Sequence, residues 1–223
     1  RISYMEILQI LCAMKGIDGE SVHLYSKEDW LMENGHEEEF DAITVLAPEG
    51  SEPGNYLSYV PARHPVNLYM DSGTKGEFPM LLSALPLLAG DGVMSAIIPG
   101  ALLYREGKEA QIRRYLVEEA SCLELIMLLP DAVFHSTGQN EVLLLFKKQR
   151  EHDDIMFFDC SEMEALGQDQ LSMIRKSWEK RENVSGFCAC VSQERIRENE
   201  FNLNLPRYVT RLMKLTEVDL EKK

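Results

Sequence analysis

Hydrophobic and polar positions change period several times along the chain. In residues 1–16, Ile2, Met5, Ile7, Leu8, Leu11 and Met14 recur at three- and four-residue spacings and stop at Gly16, which predicts an amphipathic helix with a glycine end. Residues 21–25 predict a short strand on β propensity, with His23 as a structural side chain in it. The acidic stretch from Lys27 to Glu39 predicts a solvated helix or loop. Residues 41–46, Asp-Ala-Ile-Thr-Val-Leu, then predict a buried strand, and Pro48 and Gly50 follow at once. In open α/β sheets the carboxyl end of such a strand borders the ligand crevice, so residues 40–50 are the first place to look for chemistry. Residues 47–75 carry seven Pro and Gly positions, with Gly76 directly after, and no periodicity, a long connection of the kind that is usually functional or disordered.

From Phe78 onward the pattern alternates. Phe78–Leu88 predicts an apolar helix, Gly90-Asp91-Gly92 a turn, and Val93–Ile98 a strand closed by Pro99-Gly100. Lys108–Glu119 predicts a helix with Ile112, Tyr115 and Leu116 on one face, and Leu123–Leu129 an apolar strand. A further strand over Glu141–Phe146 follows without an intervening helix, so this pair can be antiparallel. A short strand over Ile155–Phe158 and a helix over Asp169–Glu182, with Leu171, Ile174 and Trp178 inward, complete the series. Strands alternating with helices predict an α/β three-layer sandwich with a mixed sheet, mostly parallel and with an antiparallel edge strand. Residues 1–150 form its main α/β domain and residues 151–223 a C-terminal extension packing on the same domain; no internal repeat is visible.

Composition narrows the function classes. With 223 residues, 45% of them hydrophobic, the chain can bury one substantial core. No apolar run is long enough for a bilayer span, and residues 1–15 lack the layout of a signal peptide. Cys12, Cys122, Cys160, Cys188 and Cys190 show no metal-ligand spacing, so the reading is reduced thiols in a cytoplasmic protein without a metal. A formal charge of −14 repels a phosphate backbone, so nucleic-acid contact requires a local basic patch or a partner. Arg105, Lys108, Arg113 and Arg114 cluster around one predicted helix and read as a solvated basic face balancing nearby glutamates. The chain opens on Arg1-Ile2-Ser3 and reads as a piece of something longer.

Four segments in order carry a family resemblance. Ala13-Met14-Lys15-Gly16-Ile17 is similar to a helix end, Met-Asn-Leu-x-Leu-His-Gly-Ile, in the modification subunits of type I restriction-modification systems, which are adenine-specific DNA methyltransferases. Leu88-Ala89-Gly90-Asp91-Gly92-Val93 followed by Ile97-Ile98-Pro99-Gly100-Ala101-Leu102-Leu103-Tyr104-Arg105-Glu106-Gly107-Lys108-Glu109-Ala110-Gln111-Ile112-Arg113 resembles their Leu-Lys-Pro-Gly-Gly-x and Val-Leu-Pro-x-Gly-Val-Leu-Phe-Arg-x-Gly-x-Glu-x-x-Ile-Arg stretches. Leu129–Phe134 with Ser136-Thr137-Gly138 resembles Leu-Pro-x-x-Leu-Phe-x-x-Thr-Gly. Asn199–Val209 resembles Asn-Asp-Phe-Asn-Leu-Asn-Ile-Pro-Arg-Tyr-Val. The resemblance covers nearly the whole chain and implies a Rossmann-like class I methyltransferase fold with S-adenosylmethionine as the family's cofactor. It also implies DNA as substrate and partners in a complex, either a specificity subunit or another methyltransferase-like chain.

The family's sites map unevenly onto this sequence. Its catalytic Asn-Pro-Pro-Phe accepts hydrogen bonds from the exocyclic amine of a flipped adenine and stacks an aromatic ring on the base. The matching residues here are Leu46, Ala47, Pro48 and Glu49, which supply neither the acceptor at the first position nor the ring at the last. Where the family holds the cofactor's adenine with Gly-Asp, this chain has Tyr25-Ser26, with Ser26, Glu28 and Asp29 as imperfect substitutes. The glycine-rich cofactor turn, together with the family's first strands, is absent from residues 1–223. The resemblance therefore implies a methyltransferase-like chain that binds no cofactor in these residues and does not methylate. The alternative is a non-catalytic interaction module. On the substrate side, Thr137, Gly138, Gln139 and Asn140 form a candidate loop, which turn chemistry explains about as well. Asn202, Asn204, Arg207 and Tyr208 are expected to pin a structural tail to the domain.

Overall fold

A computed structural model describes residues 39–46, 68, 77–130 and 140–210. The expected helix over 1–16 and strand over 21–25 lie outside these, with nearly all of 27–39 and 47–75. The chain divides into two compact units after His36, and every element below belongs to the second.

Six strands form one mixed sheet: β1 (Phe40–Leu46), β2 (Leu88–Pro99), β3 (Leu123–Leu128), β4 (Glu141–Lys147), β5 (Ile155–Asp159) and β6 (Cys188–Val191), in the spatial order β1-β2-β4-β3-β5-β6. The pairs β1/β2 and β3/β5 are parallel; β2/β4, β4/β3 and β5/β6 are antiparallel. The expected α/β mixed sheet is present, but among the described strands antiparallel pairs outnumber parallel ones. The antiparallel strand β4 lies inside the sheet, because it pairs with β2 on one side and β3 on the other. Runs of apolar residues explain the interior: β5 is buried over Ile155–Phe158 on both faces, as strands covered on both sides must be. In β2 and β4 burial alternates, with Met94, Ala96 and Ile98 sharing one buried face with Phe146, Leu144 and Val142 across the ladder.

The helices are α1 (Glu77–Ala84), α2 (Lys108–Arg114, continuing as a π-helical turn over Tyr115–Glu119), α3 (Gln168–Glu179) and α4 (Gln193–Glu198). Helix α3 covers one face of the sheet: Ile174 joins Leu125, Met127, Met156 and Phe158, with half-buried Trp178 beside them. Leu171, expected inward, is exposed, since the helix meets the sheet only from Ile174 onward. On the other face Tyr208 packs its ring 4.5 Å from that of Phe157. Because Leu203 N–H donates to the Leu103 carbonyl at 2.8 Å, the segment after α4 and the segment before α2 lie in one layer.

Two local differences have physical causes. Gly90-Asp91-Gly92 is part of β2 and not a turn; it bulges opposite Phe40–Ala42, where a Cβ on Gly92 would sit 3.0 Å from the carbonyl oxygens of both Phe40 and Asp41. Strand β6 and helix α4 were not expected, since four residues of Cys-Ala-Cys-Val and six of α4 are too short to show a period.

Candidate functional site at the carboxyl end of the sheet

The strand directions bring the carboxyl ends of β1, β2, β3 and β5 and the amino end of β4 to one edge. Leu46 ends β1 there, opposite Ile97, and β2 ends at Pro99 opposite Glu141. Asn140 stands immediately before β4, and its carbonyl accepts the Gly100 N–H at 2.8 Å. Leu46 and Asn140, separate in sequence, are thus brought to the same end of the sheet. Ala47, Pro48, Glu49, Thr137, Gly138, Gln139, Ser26, Glu28 and Asp29 lie outside the described residues.

From this edge residues 100–107 lead into α2. Gly100–Leu103 forms a 3-10 turn that buries Leu102 and Leu103 and leaves Tyr104 at 47% exposure. Arg113 holds the segment from below. Its Nη1 donates to the carbonyls of Leu102 and Arg105, each at 2.8 Å, and its Nε to that of Phe201 at 2.8 Å. Arg113 is only 3% exposed, and burial pulls its guanidinium down to about 10, against the opposing effects of Glu109 and the Tyr208 hydroxyl. The sequence reading of Arg113 as part of a solvated basic face is therefore corrected. It shares the buried stripe of Glu109, Ile112 and Leu116, at helical spacing. Arg114 is the solvated member, paired with Glu118 at 2.9 Å and lying 5.7 Å from the centre of the Phe201 ring.

The tail residues lie against this layer. The Tyr208 hydroxyl donates to the Asn202 carbonyl at 2.6 Å, the Asn202 Oδ1 accepts from the Asn204 N–H at 3.1 Å, and Arg207 Nη1 reaches the Asn199 Oδ1 at 3.3 Å. Burial pushes the Tyr208 phenol up to about 12, so it stays a neutral donor.

A second polar cluster, which the sequence reading missed, occupies the opposite end of the sheet. Glu124, second residue of β3, accepts from Arg150 at 3.0 Å, Arg181 at 2.6 Å and the Trp178 indole at 2.9 Å. Arg181 also pairs with Asp154, which accepts from the Cys190 thiol at 2.7 Å. Burial opposes ionisation of Glu124, yet these donors hold its carboxyl below the usual range. The available signal was a lone acid inside Leu123–Leu129, since a carboxylate in an apolar strand needs partners. Apart from Arg181 Nε, which is buried without a hydrogen-bond partner, the donors here end on another side chain or a carbonyl of the fold, and the cluster reads as structural.

Cofactor and nucleophile chemistry can be tested against these residues. The glycine at the β2 strand-to-helix turn, Gly100, is filled by the fold itself: a Cβ there would meet the Asn140 carbonyl oxygen at 2.8 Å, so the space serves backbone packing and not a phosphate or a nucleoside. Burial pushes Cys122 and Cys160 each up to about 12 and Cys190 up to about 11, so none carries a thiolate at neutral pH. Among the described residues no group of three or more His, Cys, Asp or Glu is placed to hold a metal ion, and no helix is long and apolar enough to cross a membrane.

A mixed α/β sheet with α3 on one face and the Leu203–Tyr208 segment on the other, and with the carboxyl ends of β1, β2, β3 and β5 at one edge, has a Rossmann-like fold. Comparison with known proteins sharpens this. The N-6 DNA methylase family matches residues 3–216, and the chain belongs to that family. It is 25% identical to the type I restriction enzyme MjaVII methylase subunit of Methanocaldococcus jannaschii over 97% of this chain and 41% of the relative. It is 27% identical to the MpnII methylase subunit of Mycoplasma pneumoniae over 69% of this chain and 30% of the relative. Among solved structures, a type I restriction-modification methyltransferase subunit from Streptococcus thermophilus superposes with a TM-score of 0.74 at 25% identity, covering 90% of this chain and 45% of that one. A modification subunit from Vibrio vulnificus shares the fold, with a TM-score of 0.62 at 17% identity over 97% of this chain and 48% of that one. The chain spans less than half the length of the curated relatives it matches.

Proposed function

We propose that residues 1–223 form a DNA adenine methyltransferase-like part of a type I restriction-modification modification subunit, and that by themselves they neither bind S-adenosylmethionine nor transfer a methyl group. The observation that carries this is Leu46. It ends β1 at the crevice edge, in register with Ile97 and next to the Pro99-Gly100 turn, where the family's fold presents an asparagine to the target base. An adenine amine brought out of water needs acceptors, and leaving it without one costs about 1–3 kcal/mol. A leucine side chain offers none. Glu49 in the same motif has no ring to stack on the base. The family's reaction is methyl transfer from S-adenosylmethionine to adenine N6, and neither half of that site is supported by the side chains here.

In this reading DNA is reached through a complex. The edge strand β1 supports the second reading, an interaction module for a specificity subunit or another methyltransferase-like chain. Of its seven residues only Val45 is buried, and no other described strand pairs with its outer edge. Isothermal titration of residues 1–223 with S-adenosylmethionine is the deciding experiment, backed by transfer of labelled methyl groups to duplex DNA. The expected result is no heat of binding and no incorporation. Saturable cofactor binding would overturn the inactive reading, and adenine methylation would mean that Leu46 does not occupy the catalytic position.

A further inference from the structure

We infer that residues 199–205 are a strained strap across the edge segment 100–105, with the buried Arg113 as its catch. The device is built into the backbone and does not depend on what the crevice binds. Among the described residues the left-handed non-glycine positions are Ser121, Arg181, Glu200 and Phe201, and only the last two are adjacent, each with φ at +55°. Gly107 and Gly186 take such angles without a side chain to crowd. In Phe201 the Cβ meets the following carbonyl oxygen, and for a bulky residue this conformation is an outlier.

The end of α4 explains the first of the pair. The Glu200 N–H returns to the Arg197 carbonyl at 2.9 Å and the Phe201 N–H to that of Ile196 at 3.0 Å, a helix cap that asks for one left-handed residue. Phe201 is the second, and the cap does not require it. Its carbonyl accepts Arg113 Nε at 2.8 Å, and two residues on the Leu203 N–H reaches the Leu103 carbonyl at 2.8 Å. Arg113 also holds the carbonyls of Leu102 and Arg105, so one guanidinium grips both the strap and the segment beneath it. Packing does not fix Phe201 by itself, because its ring is only half-buried, 5.7 Å from the Arg114 guanidinium. The conformation therefore persists through the charge-assisted bond to its carbonyl, and strain of this kind persists only where its surroundings enforce it. When Arg113 lets go, Phe201 returns to a negative φ, the chain turns differently at residues 202–203, and the Leu203 N–H leaves Leu103. Leu205, Tyr208 and Val209 are buried and keep the far end in place. The strap lifts between α4 and Leu205, and the order of the edge segment is tied to whether it is down.

The test is native-state amide exchange and backbone chemical shifts on the whole 223-residue chain, in wild type, Glu200→Gly and Arg113→Lys. In wild type Leu203 is expected to exchange ahead of Met94, Ala96 and Ile98 and with a shallower dependence on urea, as a locally opening unit does. Glu200 is exposed, so Glu200→Gly removes strain without removing packing. It is expected to slow exchange at Leu203 by about 2- to 5-fold. Glycine in an unstrained turn does the opposite, since it only adds freedom to the open state. Arg113→Lys loses the Nε donor, and is expected to quicken exchange at Leu203 by about 5- to 30-fold and to move the carbon shifts of Phe201 from left-handed to ordinary values. Unchanged or faster exchange at Leu203 in Glu200→Gly overturns the inference. So does a Phe201 that keeps its left-handed shifts in Arg113→Lys, or a Leu203 that opens with the urea dependence of the sheet. None of these outcomes bears on the cofactor titration that tests the proposed function.

Discussion

Replacing Arg113 with methionine tests the tie between the crevice segment and the tail. The side chain is nearly isosteric in its stem but loses three donors that end on the carbonyls of Leu102, Arg105 and Phe201. A hydrogen bond from a charged group contributes about 1.5–3 kcal/mol, so the three together are worth about 4.5–9 kcal/mol. Against this stands the cost of keeping the charge buried, for which a guanidinium pulled down from its ordinary value to about 10 indicates about 3 kcal/mol. The hydrogen bonds win. Arg113→Met is expected to lose about 3–4 kcal/mol in urea unfolding, within the range seen when one partner of a buried polar set is removed. Arg113→Lys keeps the charge but not the fork, and should lose about 1–2 kcal/mol. Native-state amide exchange should quicken first at Leu203 and Gly100, while Met94, Ala96 and Ile98 in the sheet keep their protection down to the global limit. A Met variant within about 0.5 kcal/mol of wild type would refute the argument, because a surface arginine behaves in that way. So would a Lys variant as damaged as the Met one.

Other outcomes follow from the same geometry. Glu124→Gln strands Arg150 and Arg181 with no buried counter-charge from β3, and should cost about 3–5 kcal/mol by chemical denaturation. Glu124 and Asp154 both have folded-state carboxyls held below their unfolded values of 4.5 and 3.8, so the unfolded chain takes up protons first as pH falls. Their contribution is complete above those unfolded values and is lost as pH drops through the folded ones; an acid titration of unfolding should show a steeper limb in wild type than in Glu124→Gln. Gly100→Ala forces a Cβ to 2.8 Å from the Asn140 oxygen and should lower stability by about 1–3 kcal/mol, read from the urea midpoint.

The strands that carry the core were legible because burial on both faces leaves a continuous apolar run, as in Ile155–Phe158, and burial on one face leaves alternation, as in Glu141–Lys147. The start of β2 was not, because Gly90-Asp91-Gly92 has the chemistry of a turn. Only the approach of the Phe40 and Asp41 carbonyls, a tertiary fact, makes those glycines part of a bulged strand. The direction of Leu171 failed for a related reason. Spacing says which residues share a helix face but not how much of the helix reaches the sheet, and α3 is packed only from Ile174 on.

At the site, the carboxyl end of β1 could be found from the switch between acidic, apolar and Pro/Gly-rich sequence, and the structure puts Leu46 there. Arg113 was hidden by its residue type. Glu109, Ile112, Arg113 and Leu116 follow one helical stripe, so the period alone placed Arg113 inward, but a charged residue in a basic run reads as solvated unless its acceptors are known. Those acceptors are backbone carbonyls from residues 11 and 88 positions away, which no local pattern can show. This division has a functional consequence. The bonds that fix the crevice edge run through Gly100, Asn140, Leu203 and Arg113, and none passes through the Leu46 side chain, whose ladder partner is the apolar Ile97. Exchanging a polar motif residue at the end of β1 therefore leaves the supporting bonds intact. The reading proposed above, in which Leu46 stands where a polar side chain would meet the base, therefore asks nothing of the bonds that hold the fold.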